Sequence, residues 1–85
     1  MMQFVEVPIG ESRDLDANGS VVTVRRAEES VWYVERGTPD GRRVTGKVTS
    51  NDDGFVVHPL DVRYDAENFD WNDDALVYAL SLRLL

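Results

Sequence analysis

The sequence has no cysteine, which excludes disulfides and thiolate metal sites and leaves any small core without covalent staples. Its one histidine, His58, has no second imidazole or thiolate with which to build a zinc site. Lysine is nearly missing, with Lys47 alone beside eight arginines. No long apolar run is present. The longest mostly apolar stretch, residues 75–85, is about half of the ~20 residues a helix needs to cross a bilayer. The first residues carry Glu6 and Pro8 without a cationic start, unlike a secretory signal. Neither a phosphate-cradling glycine loop nor a G-x-S-x-G nucleophile elbow occurs. These absences lead us to expect a soluble, cytoplasmic, non-enzymatic protein with no cofactor, no catalytic residues and no membrane contact.

What is present is an 85-residue chain with 42% hydrophobic residues, enough for a folded core, so disorder is not expected. The length fits a single domain over residues 1–85. A domain this small buries only roughly 60% of the surface its unfolded chain exposes. A thin core without staples favours self-association, so we expect a homo-oligomer, with a homodimer the simplest form. The net charge of −7 is concentrated in residues 51–75, where Asp52, Asp53, Asp61, Asp65, Glu67, Asp70, Asp73 and Asp74 face a single base, Arg63. Phosphate recognition depends on lysine and arginine, so nucleic acid is not an expected ligand. A basic protein partner is.

Along the chain, Val5, Val7 and Ile9 alternate with Glu6 and Pro8, which predicts a short edge strand. Residues 10–20 read as a polar, turn-rich loop. Residues 21–27 predict a strand with Val22 and Val24 on one face, and residues 31–36 a third strand. Pro39-Asp40-Gly41 then marks a hairpin into residues 44–49, with Val44, Gly46 and Val48 expected to face one way. Residues 51–54 form another turn before a strand at 55–58, and residues 60–72 read as irregular. The last segment fits two patterns. As a strand it places Leu76, Tyr78, Leu80, Leu82 and Leu84 on one face; as a helix it clusters Leu76, Val77, Leu80 and Leu84. Leucine and alanine favour the helix, Asp70 or Asn72 offers a cap, and Asp73 and Asp74 suit its positive end. The expected fold is therefore α+β: a small meander-like antiparallel sheet of four to five short strands and one C-terminal helix. The alternative is an all-β chain ending in a strand.

Asp14-Leu15-Asp16-Ala17-Asn18-Gly19 matches the D-x-D-x-N-G opening of a calcium loop, which makes Asp14, Asp16 and Asn18 a calcium candidate. The position of the closing glutamate holds Arg25, and the competing reading is an Asn-Gly hairpin turn. His58 would need a nucleophile and an orienting partner for catalysis, and none of Ser12, Ser20, Ser30, Ser50 and Ser81 stands in a nucleophile context. Arg25-Arg26, Arg36 and Arg42-Arg43 are expected to pair across strands with Glu28, Glu29 and Glu35. The segment from Asp61 to Asp74 is the most unusual, because it interleaves aromatics with carboxylates. Either its aromatics fold back over the core, or Tyr64, Asp65, Glu67, Phe69, Asp70, Trp71, Asp73 and Asp74 form a partner-binding surface. The function expected from these residues is a protein–protein interaction, accessory or regulatory module. An acidic nucleic-acid mimic that inhibits a basic protein is one alternative. A small ligand-binding or catalytic domain around Trp32, Tyr33 and His58 is the other.

Overall fold

The computed structural model describes residues 1–83. A 3-10 turn at Phe4–Glu6 leads into six strands and one helix. The strands are β1 (Ser12–Ala17), β2 (Ser20–Glu28), β3 (Val31–Thr38), β4 (Gly41–Asn51), β5 (Gly54–Pro59) and β6 (Glu67–Phe69), followed by helix α1 (Asn72–Ser81). Each strand pairs antiparallel with the next, so the sheet order is the chain order. The α+β meander is as expected from the sequence, with six strands instead of four to five.

The two additional strands are the ones whose patterns were least apolar. β1 falls inside the expected loop because it is an edge strand carrying Arg13, Asp14 and Asp16, all exposed. Asn18 and Gly19 form its turn, both with positive φ (53° and 87°), which matches the right-handed twist of a two-residue hairpin. β6 is only three residues long, and the acids around it hide it. Conversely, the expected strand at residues 5–9 is absent. Backbone bonds from Glu6 to Gln3 (3.0 Å) and from Val7 to Phe4 (3.2 Å) curl this stretch, and Pro8 has no N–H to give a ladder. The Arg26 guanidinium then holds the segment by donating to the carbonyls of Val5 (3.3 Å) and Val7 (3.0 Å). Val7 is buried while Val5 and Ile9 point outwards.

Strand alternation divides the sheet into two faces. The inner face carries Val22 and Val24 of β2, Trp32 and Val34 of β3, Val48 of β4 and Val57 of β5, all buried. Phe4 closes one end of this core. Its ring lies 5.5 Å from Trp32 and 5.2 Å from Phe55 between centroids, and its carbonyl accepts the Trp32 Nε1–H at 2.9 Å. Val44 does not share the face of Gly46 and Val48. The register shifts between Val34 and Glu35, so Val34 opposes Gly46 while Glu35 opposes Val44, leaving Thr45 as the extra residue of a bulge. Thr45 is buried there and donates its hydroxyl to the Val34 carbonyl (3.3 Å).

α1 lies on the inner face, and it buries Ala75, Leu76 and Ala79 together with Leu82 just beyond its end. Val77, grouped with the core-facing residues by helical spacing, is instead 57% exposed. Leu84 lies outside the described residues. Neither Asp70 nor Asn72 caps the helix: Trp71 is the N-cap and makes no side-chain capping bond. Asn72 ties down the N-terminal segment, accepting from the Phe4 N–H (2.7 Å) and donating to the Met2 carbonyl (2.8 Å). At the other end, buried Arg36 donates to the carbonyls of Leu82 (3.2 Å) and Leu80 (2.6 Å). A cation there compensates carbonyls that the helix leaves without partners. Burial, and secondarily the nearby Arg83 charge, lowers the pKa of Arg36 from its ordinary value.

Candidate functional site

The outer face of the sheet is polar. Arg25 pairs with Glu35 at 3.0 Å and lies over the Tyr33 ring at 5.2 Å, as cross-strand charge pairing predicts. The other expected arginine pairs do not form. Arg26 bonds backbone carbonyls and stacks on Trp32 at 4.9 Å, Arg36 is buried, and Arg42 approaches Asp14 at 3.8 Å. Trp32 belongs to the inner face and is fully buried, so it shares no site with Tyr33 and His58, which lie on the outer one. The His58 Nε2 is 3.1 Å from Thr49 Oγ1 on this open sheet surface. None of the five serines bonds it among the described residues. Asp14 and Asp16 lie on the extended β1 strand and Asn18 at its turn, so the D-x-D-x-N-G match is a hairpin arm. The Asp14 carboxylate accepts the Thr23 hydroxyl at 2.7 Å. Among the described residues no group of three histidine or carboxylate side chains is placed to hold a metal ion.

The residues that do converge are at the β6–α1 junction. Pairing of Phe55 with Phe69 and of Val57 with Glu67 turns Phe69 towards α1, where its ring lies 5.5 Å from Tyr78. The chain then bends at Asp70 and passes through Trp71, whose backbone is extended, before the helix starts. Trp71 makes no capping bond and stands 72% exposed. Asp73 and Asp74 occupy the first helical turn, where the positive end of the helix dipole stabilises their charge. Shallow depressions surround this junction. One is lined by Asp53, Phe55, Phe69 and Asp70, one by Gln3, Trp71, Asp73 and Asp74, and one by Glu67, Phe69, Asp74, Val77 and Tyr78. Phe69 and Asp74 each border two of them, so the surface is continuous. No protein-family model, curated protein or solved structure matches this chain.

The electrostatics of this surface are one-sided. In the acidic segment, Asp61 binds Arg63 at 2.6 Å, and no other carboxylate of residues 51–75 has an ion pair among the described residues. Six of the residues suggested by sequence, Glu67, Phe69, Asp70, Trp71, Asp73 and Asp74, are brought together. Tyr64 packs half-buried against the core, and Asp65 contributes its carbonyl, which accepts the Tyr78 hydroxyl at 2.8 Å. Asp53, Val77 and Tyr78 belong to the surface and were not anticipated. The signal for Val77 and Tyr78 was helical spacing beyond Asp74, which the apolar pattern of the segment disguised as core.

Desolvation, reinforced by Glu67, Asp65 and Tyr64, raises the pKa of Tyr78 above the ordinary tyrosine value of 10.0. A group whose folded pKa is raised contributes stability that is complete below the unfolded pKa and is lost as pH rises through the folded one. The expected result is a fall in melting temperature as pH rises above about 10. Because the hydroxyl then no longer donates to Asp65, Tyr78→Phe should flatten that alkaline fall in a pH series of thermal melts.

Proposed function

We propose that this chain is a non-enzymatic protein–protein interaction module that receives a basic, partly apolar partner on the Trp71 surface. The observation that carries this reading is a tryptophan left 72% exposed beside carboxylates that have no ion pair among the described residues, in a domain small enough to need its aromatics inside. Tryptophan is the residue most suited to anchor an interface, because it buries a large rigid area at small entropic cost. The carboxylates around it steer a cationic partner and reject an acidic one. Two copies of this surface facing each other about a two-fold axis would oppose like charges, so self-association would need a different face.

Anisotropy of a labelled oligo-arginine peptide titrated with the intact protein tests the reading. Binding should weaken about tenfold with Trp71→Ala, and again with Asp70→Asn, Asp73→Asn and Asp74→Asn combined. It should also weaken as salt screens the carboxylates. Binding unaffected by either set of substitutions, or no binding at low salt, contradicts the proposal.

A further inference from the structure

We propose that the free edge of β1 is a strand-addition site for an extended segment alternating basic and apolar residues. The site meets the Trp71 surface at Val77 but lies on a different element and does not rest on that reading. β1 is the terminal strand of the sheet and, among the described residues, pairs only with β2. The Arg26 N–H donates to the Glu11 carbonyl (2.9 Å) and the Gly10 N–H donates to the Arg26 carbonyl (2.8 Å). These bonds fix the phase of the ladder. Arg13, Leu15 and Ala17, opposite Val24, Val22 and Ser20, direct their backbone groups towards β2. The N–H and C=O groups of Ser12, Asp14 and Asp16 therefore point away from the sheet. The Ser12 carbonyl is taken by the neighbouring Arg13 guanidinium at 3.0 Å, which leaves the backbone groups of Asp14 and Asp16 as the open template.

The surroundings of this edge specify what would occupy it. Beyond Asp16 and Ala17 lies a hollow walled on the far side by Val77, Leu80 and Ser81 of α1. An added strand would carry one set of alternate side chains on the inner face, beside Leu15 and Ala17, where Val77 and half-buried Leu80 offer apolar surface. The other set would lie on the outer face beside Asp14 and Asp16. Among the described residues Asp16 has no ion pair, and Asp14 accepts the Thr23 hydroxyl and has a single, long ion pair with Arg42 at 3.8 Å. Cations opposite these carboxylates are favoured and acids are repelled. The same rule rejects a second copy. Symmetric antiparallel pairing of two β1 strands that keeps faces matched sets Asp14 against Asp14, Asp14 against Asp16, Asp16 against Asp16 or Arg13 against Arg13 in the registers that pair most of the strand. Main-chain bonding at the edge with alternate side chains read on each face is the established mode of β-strand addition.

An eight-residue peptide alternating lysine and valine, titrated into the intact protein, is the probe. At saturation the Asp14 and Asp16 amides should become protected from hydrogen exchange, and Asp16→Lys should weaken binding about tenfold. Asp16→Lys lies on an exposed edge, and an unchanged melting temperature shows that its effect is not unfolding. A glutamate–valine peptide of the same length should leave both amides unprotected. The proposal is overturned if these amides stay unprotected at saturation, or if both peptides protect them equally. It is also overturned if protection appears with protein concentration alone, or if peptide binding responds to Trp71→Ala and not to Asp16→Lys.

Discussion

Replacing Trp32 with alanine is expected to remove much of the chain's stability. Trp32 is fully buried, touches the rings of Phe4 and Phe55, and supplies the only side-chain bond to the Phe4 carbonyl among the described residues. Large-to-small replacement of a buried tryptophan costs about 3–5 kcal/mol. Loss of the indole hydrogen bond, which leaves the Phe4 carbonyl with the Val7 N–H, adds about 1 kcal/mol. An 85-residue domain has about 4–13 kcal/mol of total stability, so this single change removes much or all of it. Trp32→Phe keeps most of the volume and loses the hydrogen bond, so its cost should be nearer 1–3 kcal/mol. Urea unfolding of the two variants checks the ordering. Similar midpoints for Trp32→Ala and wild type would show that the core is not organised around this ring.

The second large effect is expected at Gly54, where fold and candidate surface meet. Gly54 opens β5 with φ +141°, a conformation that side-chain-bearing residues rarely adopt. A Cβ at this position would collide with the Phe69 carbonyl and stand 3.0 Å from Asp70 Cα, both backbone atoms that cannot rotate away. Gly54→Ala therefore carries a backbone strain of about 1–3 kcal/mol and must also push β6 off β5. Because β6 is only three residues long, it is the element that yields. The expected result is loss of amide protection at Glu67–Phe69 with β2, β3 and β4 still protected, and with it loss of oligo-arginine binding. Gly41 also has positive φ, at 129°, but a Cβ there meets nothing within 4 Å, so Gly41→Ala separates strain from collision. Equal effects of the two substitutions would show that the close approach of β6 is unimportant.

Elements whose burial is simple were legible in the sequence. β2, β3 and β4 share a buried inner face, and Val22, Val24, Val34 and Val48 announce it by alternation. β1 was hidden because an edge strand exposes most of its side chains, and in this one only Leu15 and Ala17 are partly covered. The 5–9 segment misled for the opposite reason. Its alternation is real, but the Arg26 guanidinium and Pro8 offer the backbone a better arrangement than a ladder. Thr45 shows a further limit, since one extra residue in β4 reverses the face of Val44, and no pattern in residues 44–49 marks it. In the acidic segment, composition singled out a stretch of which the structure brings Glu67, Phe69, Asp70, Trp71, Asp73 and Asp74 together. The sequence did not divide its aromatics, however: Phe69 and Tyr64 turn inwards to the helix and core while Trp71 stays out. That division depends on where α1 begins, and α1 begins one residue after Trp71 because β6 ends at Phe69.

The junction of β6 and α1 is the surface proposed to bind cationic chains. Amide shift mapping of the intact protein titrated with hexa-arginine tests this most directly. Saturable shifts confined to residues 67–78, Gln3 and Asp53, and fading as ionic strength rises, are the predicted result. Shifts centred on Arg25, Tyr33 and His58 of the open sheet face, or no saturable shift at low salt, would contradict it.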